Sequence, residues 1–176
     1  LNRIEIYPGK SERDSVRDVL DLLEDLVPPK AFVVRLLNST HSDCNDVQAF
    51  FDNVVQPVME GELGYKLIVV DGNQPYEHAR IDDEIFKKLH RSSVVLADIT
   101  GARPNCFIEL GYALGRGLPT MLTAKAGTEH PFDIYSLSSH HWQNTGSTDE
   151  RKAAFRKHWD AIKNRPPLIP VDPLIP

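Results

Sequence analysis

Cysteine is scarce in this chain: only Cys44 and Cys106 occur among its 176 residues. Two cysteines without CxxC spacing exclude a disulfide framework and a zinc site built on paired thiolates. Cys106 lies in an apolar run with no neighbouring base to activate it, so we expect a small buried side chain rather than a reactive thiol. No HExxH or comparable histidine spacing is present, and we expect no metal site.

Long hydrophobic runs and an excess of basic charge are also missing. No apolar stretch is long enough to cross a bilayer and no signal peptide is recognisable, which argues against a membrane protein and favours a cytoplasmic location. The net charge of −5 offers no basic face for duplex nucleic acid. The first residue is Leu1 rather than Met, so we keep open that further domains of a longer chain exist.

What the chain does contain is a regular alternation of short apolar runs and amphipathic segments. The runs are rich in β-branched and aromatic residues, which predicts buried strands, and the segments between them have apolar residues at helical spacing. Pro57 falls inside the first helical segment and is expected to bend it. We predict strands over 31–37, 65–71, 93–99, 118–124 and 140–144, and helices over 43–63, 81–92, 104–117 and 149–164.

Strands that are apolar throughout and separated by helices predict an α/β fold, with a doubly wound parallel sheet of about five strands. We expect a flavodoxin/Rossmann-like three-layer sandwich with the strand order 2-1-3-4-5. Residues 11–27 predict a helix, so that 1–30 forms an N-terminal connector. The α/β domain then spans 31–165, and the proline-rich residues 166–176 form an extended tail.

Ligands of open α/β sheets bind beyond the carboxyl ends of the strands, where the strand order reverses. The loops predicted at these ends are polar: 35–42 follows the first strand, 71–76 the second and 98–105 the third. We therefore expect the functional site between these three loops. They contain the candidate site residues Arg35, Asn38, Asp71, Tyr76, Asp98, Arg103 and Asn105.

One carboxylate, Glu109, lies in the first half of the third predicted helix, which Pro104 is suited to begin. Its position alone leaves two interpretations open. Glu109 is either an ordinary glutamate favoured by the helix dipole, or it faces a pocket where poor hydration raises its pKa.

The stretch FIELGYALGRGLPTMLTA, which contains Glu109, resembles the nucleoside 2-deoxyribosyltransferase-like family. In that family a strand and loop lead into a helix of the form E-L-G-x-A-x-x-x-G-K-P. The upstream VVLADITGARPNCF is similar to the variant found in bacterial proteins, often in defence contexts, and AFVVRLLN to the family's opening strand. The resemblance covers roughly residues 31–142 and is densest at 94–122. Toll/interleukin-receptor-like domains are a more distant likeness.

The resemblance implies that Glu109 is a nucleophile that attacks the anomeric carbon of a nucleoside, so that an N-glycosidic bond breaks. Asp98 then either acts beside it by orienting the sugar hydroxyls, or holds the loop through backbone amides. The transferases proper have an aspartate shortly before the glutamate, and this chain departs from them there, because the region reads ARPNC.

Four of the remaining candidates also have two interpretations each. Arg103, if turned inward, suits a phosphate and therefore a nucleotide substrate, and as a solvent-facing loop residue it has no role in the site. Asn105 caps the helix or contacts a ligand, with capping the safer interpretation. Asp71 holds a ribose or forms a turn, and Tyr76 stacks on a base or has no role in the site.

Two functions from different classes follow. The first is an enzyme that cleaves the N-glycosidic bond of a nucleoside, nucleotide or NAD-like molecule without a cofactor. The alternative is a non-catalytic nucleotide-binding or self-assembling sensor module. In both, the ligand is a small-molecule nucleoside or nucleotide, and neither duplex nucleic acid nor a membrane is a partner. A homo-oligomer is expected, because PFDIYSLSSHHW resembles a family loop where a neighbouring subunit completes the site.

Overall fold

The secondary structure follows the predicted alternation closely. A computed structural model describes residues 19, 20, 23, 27–70, 81–129 and 137–165, without the side chains of 81–84. The strands are β1 (Lys30–Val34), β2 (Lys66–Val69), β3 (Val94–Asp98), β4 (Thr120–Lys125) and β5 (Ser139–Trp142). The helices are α1 (Cys44–Phe50), extended by π-helical turns at Phe51–Val55 and Pro57–Glu62, then α2 (Ile81–His90), α3 (Pro104–Gly115) and α4 (Thr148–Ile162).

All five strands pair in parallel, in the order β2-β1-β3-β4-β5. The predicted strand order and the doubly wound α/β class are therefore confirmed. The chain leaves β1 towards β2 on one side and β3 towards β4 on the other, so the order reverses between β1 and β3. The loops after these two strands, 35–43 and 99–103, flank the position where such sheets bind ligands.

Alternate residues of each strand face two different helix layers. In β1, Ala31 and Val33 pack in the layer of α1 and α4, whereas Phe32 and Val34 pack in the layer of α2 and α3. Both faces of the sheet are therefore buried, which explains why the strands appear in the sequence as continuous apolar runs.

The helix predicted over 43–63 forms, but its second part is π-helical. Pro57 has no backbone N–H, and its ring crowds the carbonyl one turn earlier, so the regular hydrogen-bond ladder is interrupted there. Wider bonds take over: the Gln56 amide donates to the Phe51 carbonyl, and the Leu63 amide donates to the Val58 carbonyl. The disturbance expected at Pro57 therefore takes the form of a widened helix.

Helix α3, which contains Glu109, has well-defined ends. Pro104 occupies its first position, where the missing amide has no partner to lose. At the other end Gly117 has a φ of +68°, and the amides of Gly117 and Leu118 donate to the carbonyls of Leu114 and Ala113. This is a Schellman motif, which satisfies the last carbonyls of the helix.

Parts of the predicted domain plan lie outside the described residues. Of the helix predicted over 11–27, only Val19, Leu20, Leu23 and Val27 are described, and their side chains are exposed. The predicted tail over 166–176 is not among the described residues. Within the described segments, no helix combines the length and the apolarity needed to span a bilayer.

Candidate functional site

The loops after β1 and β3 touch at the point where the strand order reverses. The His41 imidazole packs on Gly101, so closely that a Cβ at Gly101 would lie 3.1 Å from His41 Nε2. Gly101 has a φ of +79°, and the next residue, Ala102, has a φ of 45°, which is strained for an alanine. Sequence reasoning did not single out His41, because a histidine in a polar loop has no distinctive spacing.

Asp98 is a fully buried anchor at the end of β3. Its Oδ1 accepts a hydrogen bond from the Thr100 amide at 3.1 Å, and its Oδ2 accepts from Thr123 Oγ1 and Trp142 Nε1, both at 2.7 Å. Burial raises the pKa of the Asp98 carboxyl, and these three bonds lower it in part. The side chain has no exposed surface to offer a sugar hydroxyl, so the geometry favours the loop-holding role over the catalytic one.

The structure does not join Asp98 and Glu109 into a pair. Asp98 faces the α1 and α4 layer, where its partner Trp142 packs. Glu109 belongs to α3, whose buried residues Cys106, Leu110 and Ala113 pack in the opposite layer. Asp98 is fully buried, whereas Glu109 keeps part of its surface exposed.

Glu109 is partly buried in the first half of α3. Burial raises the pKa of its carboxyl to about 7, and the Arg103 guanidinium opposes that rise. Close by, burial and the Glu109 charge raise the pKa of the Cys106 thiol to about 11, which disfavours the thiolate. The expectation of a buried Cys106 is confirmed, since the residue is only 5% exposed.

Arg35 follows β1 and turns towards the α1 layer. Its Cζ lies 5.0 Å from the centroid of the Phe51 ring, a cation–π contact. Burial lowers the pKa of its guanidinium, while Asp52, Cys44 and Asp98 raise it. Its Nε and Nη1 are buried and donate to no acceptor among the described residues. Unused buried donors on a half-buried cation are costly, and an anionic group on a ligand would compensate for them.

The other candidates occupy distinct positions. Asn38 is exposed, and its Oδ1 accepts from the Thr40 amide at 3.1 Å and the Thr40 hydroxyl at 2.9 Å, which shapes the turn after β1. Arg103 is the N-cap residue of α3. Asn105 is exposed inside the first turn, and no side chain caps this helix, so the interpretation of Asn105 as the cap was wrong. Asp71 and Tyr76 lie outside the described residues.

A salt-bridged network, missed in the sequence, ties α1 to the end of β4. Lys125 Nζ donates to Asp43 Oδ1 at 2.6 Å and also pairs with Asp46. The Lys125 amide donates to Thr100 Oγ1 at 2.9 Å, which connects the network to the loop after β3. Lys125 is about 80 residues away from Asp43 and Asp46 in sequence, so no short sequence motif predicts that they pair.

A separate cavity of about 350 Å³ lies between β5 and the start of α4, with His140 and Arg151 in its wall. Burial, together with His158 and His141, lowers the pKa of His140 to about 4. His140 packs against the rings of Phe50 and Phe155, as a structural residue does. Among the residues that the structure describes, no group of three histidine, cysteine or acidic side chains is placed to hold a metal ion.

The sequence and the structure of this chain were compared with those of known proteins. No family model and no curated protein matches this chain. A conserved protein from Enterococcus faecalis aligns at 11% identity and a TM-score of 0.46, over 74% of this chain and 99% of that one. A 2-deoxyribosyltransferase from Bacillus psychrosaccharolyticus aligns at 14% identity and a TM-score of 0.49, over 70% and 90%. A 2-desoxiribosyltransferase from Leishmania mexicana aligns at 18% identity and a TM-score of 0.47, over 76% and 98%.

Two of these three structures are deoxyribosyltransferases. Each of the three alignments has an identity below 20% and a TM-score below 0.5.

Proposed function

We propose that this chain cleaves the N-glycosidic bond of a nucleoside, nucleotide or NAD-like molecule, with Glu109 as the nucleophile. The observation that carries the proposal is the carboxylate itself. It is partly buried and therefore poorly hydrated, and with a pKa of about 7 it is about half ionised at neutral pH. A weakly solvated carboxylate next to an oxocarbenium-like carbon divides one difficult substitution into two easier ones.

In the first proposed step, a carboxylate oxygen of Glu109 bonds to the anomeric carbon while the carbon–nitrogen bond breaks. The bonding electron pair leaves with the base, which takes a proton from water. In the second step, water attacks the same carbon, loses a proton and releases Glu109 as a carboxylate. With a second base in place of water, the same intermediate yields a new nucleoside.

Arg35 favours a phosphorylated substrate. Its Nε and Nη1 have no acceptor among the described residues, and the guanidinium follows β1 at the point where the strand order reverses. A phosphate matches a guanidinium in charge and in hydrogen-bond geometry. We therefore place nucleotides and NAD-like molecules ahead of unphosphorylated nucleosides.

A binding module without turnover is the second candidate. The observation in its favour is Asp98, whose carboxylate is fully engaged by Thr100, Thr123 and Trp142 and leaves Glu109 without an acidic partner. Such a module would bind the same ligands and release no base.

The test is incubation of the purified chain with deoxynucleosides, nucleoside monophosphates and NAD, followed by chromatographic detection of free base. We expect release by the wild type and its loss in Glu109→Gln. The matched control is Glu62→Gln, an exposed glutamate at the end of the π-helical turns, which should leave the rate unchanged. Equal release by the wild type and Glu109→Gln would exclude the nucleophile, and no release from any substrate would favour the binding module.

A further inference from the structure

The cavity between β5 and the start of α4 has the size of a small-molecule site. Its volume is about 350 Å³, and such sites measure roughly 300–1,000 Å³. The candidate site of Glu109 lies by the loops after β1 and β3, whereas this cavity lies beyond β4, at the edge strand β5. We call it the β5 pocket.

One wall of the β5 pocket is aromatic and uncharged. It contains the rings of Phe50 and Trp142, which stack with 4.5 Å between their centroids and 4° between their planes. The ring of His140 belongs to the same wall and packs on Phe50. With a pKa of about 4, His140 is neutral at neutral pH. Such a wall suits the flat apolar part of a ligand.

The other wall contains a guanidinium that is already held in position. Arg151 Nη2 donates to Asn144 Oδ1 at 2.6 Å. Asn144 is itself anchored on α1, because its Nδ2 donates to the Asp46 carbonyl at 2.8 Å. A side chain that is oriented before a ligand arrives loses less conformational entropy on binding.

One donor of this guanidinium is left unused. Arg151 Nε is buried and has no acceptor, and among the described arginines only Arg35 shares this property. A role in fastening α4 to Asn144 explains the bond of Nη2 but leaves Nε unsatisfied, which destabilises the folded chain. A ligand oxyanion in the pocket would accept from Nε in a charge-assisted hydrogen bond.

We propose that the β5 pocket binds a small aromatic carboxylate. The carboxylate accepts from Arg151 Nε, and the aromatic ring of the ligand lies against the wall that contains His140. Glu150 also lines the pocket, and its negative charge disfavours a doubly charged phosphate more than a singly charged carboxylate. The proposal does not depend on the activity proposed for Glu109.

The experiment is isothermal titration calorimetry of the full chain with benzoate. Arg151→Gln should weaken binding by about tenfold or more, because the charge-assisted bond is lost. Arg156→Gln is the matched control: it removes an arginine from the same helix, one that pairs with Glu62 and Asp160, and should leave binding unchanged. Arg35→Gln should also retain binding. Binding that is lost in Arg35→Gln and kept in Arg151→Gln would overturn the proposal, and so would a wild type that does not bind benzoate.

A second measurement needs only the wild-type chain, so it decides the matter even if Arg151→Gln fails to fold. In nitrogen–proton correlation spectra, benzoate should shift the indole signal of Trp142 and the side-chain amide signal of Gln143, both in the wall of the pocket. Benzamide has the same shape without the charge and should cause much smaller shifts. Equal shifts with benzamide would overturn the proposal, and tighter binding of phenyl phosphate than of benzoate would overturn the choice of a carboxylate.

Discussion

The carboxyl group of Glu109 and the guanidinium of Arg103 form the most consequential pair of charges in the candidate site. Burial raises the pKa of Glu109 to about 7 and Arg103 holds it from rising further. A nucleophilic carboxylate must be ionised to attack, so its pKa sets the acidic limb of the pH–rate profile. The same burial that leaves the group weakly hydrated thus limits the pH range in which it works.

We predict that base release increases with pH through about 7, the pKa of Glu109 in the folded chain. Arg103→Gln removes the cation that lowers this pKa, so the limb should move to higher pH. Measurement of kcat/KM between about pH 5 and pH 9 tests this. Arg116→Gln, an exposed arginine at the end of α3, should leave the profile in place. If the midpoint of the acidic limb lay near the ordinary pKa of a glutamate, the assignment of Glu109 as the nucleophile would be contradicted.

Arg35 should discriminate between phosphorylated and unphosphorylated substrates. Because its donors are proposed to bind phosphate, Arg35→Gln should raise KM for a nucleoside monophosphate by about tenfold, with kcat little changed. The corresponding nucleoside lacks the phosphate and serves as the internal control, with a KM that stays the same. Steady-state kinetics on the two substrates gives the comparison. Equal losses on both would show that Arg35 supports the fold rather than the phosphate.

At the scale of elements, Asp98 connects three neighbouring parts of the sheet. Its carboxylate at the end of β3 accepts from Thr123 in β4 and Trp142 in β5, and from the amide that opens the loop after β3. This hydrogen bonding explains why the loop that leads to α3 leaves the sheet in a defined direction. It also explains why the acid is buried at a strand end.

Asp98→Asn should lower the free energy of unfolding by about 2–3 kcal/mol. The NH₂ group of asparagine would face one of the three donors that now bind the carboxylate, so one buried hydrogen bond would be lost. Urea unfolding monitored by circular dichroism measures the loss. Asp52→Asn is the matched control, because Asp52 is exposed and its replacement should have little effect. An unchanged midpoint for Asp98→Asn would contradict the anchoring role.

Strand β5 and helix α4 meet at His140, whose ring packs against the rings of Phe50 and Phe155. Its folded pKa is about 4 against an ordinary value of 6.5, mainly because of burial. Below pH 6.5 the His140 side chain becomes protonated in the unfolded chain, whereas in the folded chain it stays neutral until about pH 4. The contribution of His140 to stability is therefore complete above pH 6.5 and falls as the pH decreases.

We predict that His140→Phe reduces the loss of stability between pH 6.5 and pH 4 by about 1–2 kcal/mol, after allowance for partial exposure. Thermal unfolding across this range measures the difference from the wild type. His90→Phe at the end of α2 is the comparison variant, since its environment does not include this aromatic cluster. Parallel pH curves for wild type and His140→Phe would contradict the prediction.

For the whole molecule, ligand binding should appear as added stability. A ligand present at about 100 times its Kd stabilises the folded state by about 2.7 kcal/mol. We expect a nucleoside monophosphate to raise the Tm of both the wild type and Glu109→Gln. The substitution removes the nucleophilic carboxylate but leaves the other residues of the binding site in place. Differential scanning fluorimetry gives the shift. No shift with any nucleoside, nucleotide or NAD would contradict the ligand class for the enzyme and the sensor alike.

The alternation of strands and helices in the described residues was accessible from the sequence because its signals are local. Uninterrupted apolar runs at 93–99 and 118–124 arise from strands buried on both faces, and Pro104 marks the start of α3. The π-helical turns around Pro57 were not predicted beyond an expected bend, because a proline shows that the regular ladder is interrupted and not how the helix accommodates it.

By itself, the sequence determined the alternation of strands and helices and the parallel α/β class, and it singled out Glu109 as a candidate, because periodicity and strand-end residues are properties of neighbouring positions. Only the tertiary structure buried Asp98 among three hydrogen-bond donors, placed Asn105 inside the first turn of α3 and brought His41 onto Gly101. Those outcomes depend on which side chains from distant segments meet in the same layer. The energy of a buried hydrogen bond depends on that meeting, and not on the residue type alone.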